Sequence, residues 1–296
     1  MGVSDPFYKQ RLEFPMKKWL LIILQIQQIN APAQEHKDVV YAKTPQRDLT
    51  LDIYLPPQTT NAQLIIWVHG GAWHGGSKEN PPKELLQKGY TLASIEYRLT
   101  TEAVFPAMIH DIKASIRFLR ANQKKYGYQA DKIILWGSSA GGHLAAVAAL
   151  SNNDAFLEGT LGDYTGTSSR VNLLLDLYGP SNFKNILAQS TPHGINVRTP
   201  ALALFFGKPL EKVEEKMVEK ASPVFLVDAQ DPPCFLAHGN QDPQVPINQS
   251  IELHLKLQAL KVKSELHFLN DMGHGGKDFS APDFVQLMDQ FIKENL

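Results

Sequence analysis

Asp131-Lys132-Ile133-Ile134-Leu135-Trp136, then Gly137-Ser138-Ser139-Ala140-Gly141, then Gly142-His143-Leu144-Ala145-Ala146-Val147-Ala148-Ala149-Leu150: this stretch decides the fold. Its first part is a short apolar run with the pattern of a buried strand. Its last part is Ala-rich and reads as a helix. The pentapeptide Gly-x-Ser-x-Gly therefore sits at a strand-to-helix turn, the setting in which it exposes a nucleophilic serine. The two glycines allow a sharp turn where a Cβ would clash. Ser139 holds the central position, and Ser138 reads as a neighbour that packs or hydrogen-bonds locally. The following helix aims its N-terminus at the same spot, where negative charge is stabilised. In an arbitrary loop the pentapeptide would carry little weight; the strand before it gives it meaning.

Outward from this turn the chain alternates strands and helices. Leu49–Leu55 alternates apolar and polar residues, as a half-exposed strand does, and Leu64–Val68 is a continuous apolar strand. Thr91–Tyr97, Val171–Tyr178, Cys234–His238 and Ser264–Leu269 are further strands. Helices are expected after Pro106, over Gln249–Leu260 and over Pro282–Leu296. Such alternation predicts a mostly parallel sheet covered by helices on both faces. Sites in these sheets lie beyond the carboxyl ends of the strands. His69-Gly70-Gly71, Ser139 and Asp242 each follow a strand directly, and His274 comes shortly after the last one. Residues 181–222 break the alternation with Pro192, Pro200, Pro209 and short helical pieces. They read as a small lid-like insertion over the strand ends, with a peripheral helix pair as the alternative.

Composition narrows the class. The 296 residues are 43% hydrophobic and 20% charged, enough for one large domain with a full core. A net charge of -1 argues against a nucleic-acid or anionic-membrane partner. Cys234 is the only cysteine, so an internal disulfide and a cysteine-based zinc site are excluded, and its apolar neighbours mark it as a core thiol. At the N-terminus, Met16-Lys17-Lys18 is followed by the apolar Trp19–Ile26 and by Ala31-Pro32-Ala33. This order is that of a secretory signal peptide cleaved after Ala33, with residues 1–15 as an upstream extension. The apolar run is shorter than the roughly 20 residues that span a bilayer. Secretion or a periplasmic location is therefore expected, with no stable membrane span.

A serine hydroxyl is a poor nucleophile at neutral pH. It needs a histidine to take its proton and a carboxylate to hold that histidine in the right tautomer. Asp242, in His238-Gly239-Asn240-Gln241-Asp242-Pro243, and His274, in Gly273-His274-Gly275, are placed to serve Ser139. Asp176 and Asp231 compete less well, since one lies within a strand and the other before one. His69-Gly70-Gly71-Ala72-Trp73 follows a buried strand, and its glycines let backbone N–H groups face a developing oxyanion. Gly71 and Ala72 from this loop and Ala140 from the helix start are the candidate donors. His69 reads as a buttress of the loop. Trp73 and Tyr97 follow strand ends beside it and are candidates for substrate binding, with core packing as the alternative. Asp111 reads as a structural cap or ion-pair partner.

Together His69–Trp73, Glu96-Tyr97-Arg98-Leu99, Gly137–His143, His238–Pro246 and Gly273–Gly275 resemble the α/β-hydrolase esterases, over about residues 37–296. More narrowly they resemble the acetyl/feruloyl esterase-like branch related to the hormone-sensitive-lipase group. The resemblance implies an α/β-hydrolase fold for residues 34–296 and a cofactor-free serine carboxylesterase. The substrates it implies are small acyl esters, as small molecules or as acetyl or feruloyl groups on plant oligo- or polysaccharides. It sets no oligomeric state. Ala72 stands where the lipase-like group often has Gly, and Thr100-Thr101 follows Leu99 where that group often has Ala-Pro; both favour the smaller-lid branch. The same triad also fits an arylformamidase-like amidase or a peptidase-like hydrolase. A hydrolase-fold binding module is disfavoured because all three triad residues are present.

Overall fold

The computed structural model describes residues 34–57, 60–152 and 154–296. The expected signal segment, residues 1–33, lies outside the described residues. The strands are β1 (Gln34–Lys43), β2 (Asp48–Leu55), β3 (Gln63–Val68), β4 (Thr91–Ile95), β5 (Gln129–Ser138), β6 (Leu173–Leu177), β7 (Cys234–Gly239) and β8 (Ser264–Leu269). They form one sheet in the order β1-β2-β4-β3-β5-β6-β7-β8. β1 and β2 pair antiparallel, β2 meets β4 antiparallel, and the rest are parallel. The longer helices are α1 (Ala107–Ala121), α2 (Ala140–Leu150), α3 (Pro192–Phe206), α4 (Glu215–Lys220), α5 (Asn248–Ala259) and α6 (Pro282–Asn295). This is the α/β-hydrolase fold, with the mostly parallel sheet that the alternation predicts.

Successive residues of the central strands point to opposite faces, so an unbroken apolar run feeds two cores. Ile66, Leu135, Leu174 and Leu236 pack with Ile112 and Ile116 of α1, Leu144 of α2 and Leu253 of α5. Their neighbours Ile65, Ile134, Leu175 and Phe235 pack with Val285, Met288 and Ile292 of α6. Cys234 is buried within β7. Asp111 of α1 is fully buried and takes the Arg98 guanidinium at 2.6 Å and the Arg98 N–H at 2.7 Å, so it pairs as expected. No helix among the described residues is long and apolar enough to cross a membrane.

Two elements differ from the pattern-based reading. The alternation predicts no strand before Leu49, yet β1 pairs along β2 from Gln34 to Lys43. It is a polar edge strand whose register shifts twice, between His36 and Val39 and between Val40 and Ala42. Those irregularities erase the period-two signal. In the 181–222 region the prolines suggested short pieces, but α3 runs unbroken through Pro200. Thr191 caps its start by accepting the Gly194 N–H, and Pro192 stands in the first turn. An interior proline costs about 3 kcal/mol. Full burial of Leu202 and Phe205 contributes roughly 1.5–3 kcal/mol each and outweighs it.

The insertion is joined to the sheet through buried polar contacts. The Trp73 indole N–H donates to His143 Nδ1 at 3.1 Å, and His143 Nε2 donates to the Ala221 carbonyl at 2.7 Å. Phe183 and Phe205 pack on the Trp73 ring at 5.7 and 4.9 Å. Trp73 is therefore core, not the pocket wall offered by sequence. Tyr97 is corrected likewise: it is fully buried, stacks on His69 at 4.3 Å, and donates its hydroxyl to the His69 carbonyl at 2.9 Å. Both follow strand ends, but the chain turns inward there.

Burial pushes His143 down to about 3, so the folded protein holds it neutral. The unfolded chain takes up that proton near the ordinary histidine value of about 6.5. Stability from this site is therefore complete above about pH 6.5 and is lost as pH falls towards 3, with a slope of up to about 1.4 kcal/mol per pH unit. Urea denaturation between pH 7 and 4.5 should show a steeper decline for the native sequence than for His143→Gln, which cannot titrate. Equal declines would contradict the assignment.

Candidate active site

The carboxyl ends of β3, β5, β7 and β8 bring the sequence-selected residues together. Ser139 has φ 55° and ψ -123°, a sparsely populated conformation that costs roughly 1–3 kcal/mol and persists only where the surroundings enforce it. Its N–H is tied to the Leu177 carbonyl at 2.9 Å. Gly141 explains the local sequence, since a Cβ there would lie 2.1 Å from the Val68 carbonyl oxygen. Only glycine lets α2 begin directly against the end of β3.

Ser139 Oγ lies 2.7 Å from His274 Nε2, and His274 Nδ1 lies 2.7 Å from Asp242 Oδ2. Asp242 Oδ1 accepts the Gln244 and Val245 N–H groups at 2.8 and 2.9 Å. His238 Nε2 stands 3.2 Å from Asp242 Oδ2 and 3.0 Å from the Val245 carbonyl, while its Nδ1 meets Ser250 Oγ at 2.7 Å. Burial alone would raise the Asp242 carboxyl, but the hydrogen bonds of His238 and His274 hold it well below the usual carboxylate range. The carboxylate is buried and ionised, a state that requires this density of donors. Such a line can draw the serine proton onto Nε2 and stabilise the resulting imidazolium.

The loop after β3 lies beside the elbow: a Cβ on Gly70 would be 2.9 Å from the Ser138 carbonyl and 3.4 Å from Ser139 Cβ. Gly71, Ala72 and Trp73 take φ values of 112°, 50° and 64°. The His74 and Gly75 N–H groups both close onto the Gly71 carbonyl, at 3.1 and 2.9 Å. The N–H groups of Gly71 and Ala72, and that of Ala140 at the start of α2, have no protein acceptor among the described residues. His69 stays with its loop, its Nδ1 2.8 Å from the Gly70 carbonyl.

Three side chains around this site were not singled out from sequence. His238 supports Asp242 from four residues upstream on the end of β7. Arg198 of α3 is buried and donates to the Gln244 carbonyl at 2.8 Å, tying the insertion to the Asp242 loop; burial lowers it to about 10. Tyr178 follows β6 with φ 46°, and its ring meets His274 edge-on at 5.0 Å. The signal for Tyr178 was positional: it follows a strand end, as His69 and Asp242 do.

The BD-FAE family matches residues 51–257. Esterase LipC of Mycobacterium tuberculosis is 29% identical over 80% of this chain and 59% of its own. Esterase LipQ of the same organism is 32% identical over 74% of this chain and 51% of its own. The chain thus spans about half to three fifths of the length of these curated relatives. A solved structure described as a truncated form of carbohydrate esterase from gut microbiota superposes with a TM-score of 0.78. It is 30% identical, over 88% of this chain and 96% of that one. With the fold, the strand-end loops and the match all in agreement, the chain belongs to the BD-FAE family of α/β-hydrolases.

Proposed function

We propose that the protein is a serine carboxylic-ester hydrolase. The observation that carries this reading is the unbroken line from Ser139 Oγ through His274 to Asp242, set beside the N–H groups of Gly71, Ala72 and Ala140, which are unpaired among the described residues. In this mechanism Ser139 Oγ attacks the ester carbonyl while His274 Nε2 takes its proton. The carbonyl oxygen becomes an oxyanion and accepts from the three N–H groups; each such donor is worth roughly 3–4 kcal/mol in the transition state. The C–O bond to the alcohol breaks, and His274 returns the proton to the departing oxygen. Water then repeats the sequence on the acyl-enzyme, with His274 as base, and frees the carboxylic acid.

Two considerations favour esters over the amide alternative. LipC and LipQ are named esterases, and the superposed gut structure is described as a carbohydrate esterase. That description also supports small acyl groups on polysaccharides, acetyl or feruloyl, as the substrate class. Export through residues 16–33 would bring the enzyme to such polymers. In this reading the 181–222 insertion walls the acyl pocket as a small lid.

Ser139→Ala should lower kcat on p-nitrophenyl acetate by on the order of 10⁵–10⁶ while leaving the urea midpoint unchanged. Acetylated or feruloylated xylan fragments should release acid with the native protein and not with this variant. Full activity in Ser139→Ala would refute the mechanism. Turnover of amides alone would move the assignment to the second class.

A general base must be unprotonated to accept the serine proton, and the depressed Asp242 carboxyl stays ionised as pH falls. The pH profile of kcat/KM should therefore fall on its acid side through a single ionisation, with a limiting slope of about one. A slope of about two would show Asp242 titrating with it.

A further inference from the structure

Resting on that reading of the site, we infer that Tyr178 is a positioning residue that holds the His274 imidazole in line between Ser139 and Asp242. Three observations converge. First, Tyr178 has φ 46°, a left-handed conformation that a bulky aromatic residue rarely adopts. Strain of this kind, roughly 1–3 kcal/mol, persists only where neighbours over-determine it. Here the Tyr178 N–H is anchored to the Ala237 carbonyl at 2.7 Å, which fixes the side chain over the end of β7.

Second, the ring is wedged between two others. Its edge-on partners are His274 at 5.0 Å and interplanar angle 68°, and Phe279 at 4.6 Å and 67°. His238 lies further away, at 6.5 Å. Phe279 is buried, so the tyrosine ring is backed by core. Third, His274 needs an external support. It stands on a loop between Gly273 and Gly275-Gly276, whose φ values of 81° and 128° mark a backbone with little intrinsic stiffness. A Cβ on Gly275 would come 3.2 Å from the Tyr178 hydroxyl oxygen, so the loop lies against the phenol itself. Asp242 fixes the imidazole at Nδ1; the Tyr178 ring fixes the plane about that bond. Without the ring the imidazole can swing about its hydrogen bond to Asp242 and carry Nε2 away from Ser139 Oγ.

The ring acts through His274, so its loss should appear in kcat and not in KM. In Tyr178→Leu, kcat on p-nitrophenyl acetate should fall by about tenfold or more with KM within about threefold. Tyr178→Phe, which keeps the ring, should retain kcat within about threefold. The rate at which diethyl p-nitrophenyl phosphate inactivates the enzyme should fall in parallel with kcat, since both need the Ser139 proton on His274. Phe279→Leu, which loosens the ring without removing it, should give a smaller loss of kcat at the same KM. Native kcat in folded Tyr178→Leu overturns the inference. So does a rise in KM alone, which would make Tyr178 a substrate contact. If Tyr178→Leu does not fold, unchanged kcat in Phe279→Leu overturns it. Ser139→Ala run alongside separates this outcome from failure of the triad itself: an active Ser139→Ala removes the triad reading, whereas an inert Ser139→Ala with an undiminished Tyr178→Leu removes only the positioning role.

Discussion

The arrangement depends on one backbone-to-backbone approach, that of the first turn of α2 against the end of β3. Gly141 closes to within van der Waals distance of the Val68 carbonyl, and any side chain there would have to push the helix away from the sheet. The approach puts the helix N-terminus, Ser139 and the Gly70–Ala72 loop in one small volume. It also forces Ser139 into a strained turn and so lifts its hydroxyl clear of the strand. The placing of Ser139 beside that loop and within reach of His274 is a consequence of this packing.

The second constraint is electrostatic. Asp242 carries a charge inside the protein, and an isolated buried carboxylate would protonate instead. Two backbone N–H groups and two histidines keep it ionised. Asp176, one strand over, is the counter-example. It is buried with one backbone donor, from Gly179, and burial pushes it up to about 7. The two aspartates differ in their surroundings and not in their chemistry, and only Asp242 is equipped to face an imidazolium.

The sheet and the site residues were largely legible because their signals are local. An apolar run followed by Gly-x-Ser-x-Gly specifies an element boundary and a candidate nucleophile, and Asp242 and His274 each stand on a glycine-flanked loop just past a strand. What escaped reading depends on tertiary partners. β1 is polar and doubly irregular, so its pairing with β2 leaves no periodic trace. α3 passes through Pro200 because of what its far face buries. Trp73 and Tyr97 stood beside the right loops, but which way a side chain turns after a strand is set by neighbours such as Phe205 and His69. Tyr178 carries no motif at all; its significance arises only when β8 brings His274 against it.

The insertion has a consequence for how such a protein can change. Helix α3 holds the Asp242 loop through Arg198 and Thr191, and the segment that follows it holds the Trp73 loop through Ala221 and His143. The insertion is thus a brace for both the Asp242 loop and the Trp73 loop. Any redesign of 181–222 that shifts α3 redistributes tension into the Asp242 loop and the Trp73 loop together, so neither loop can be tuned without the other.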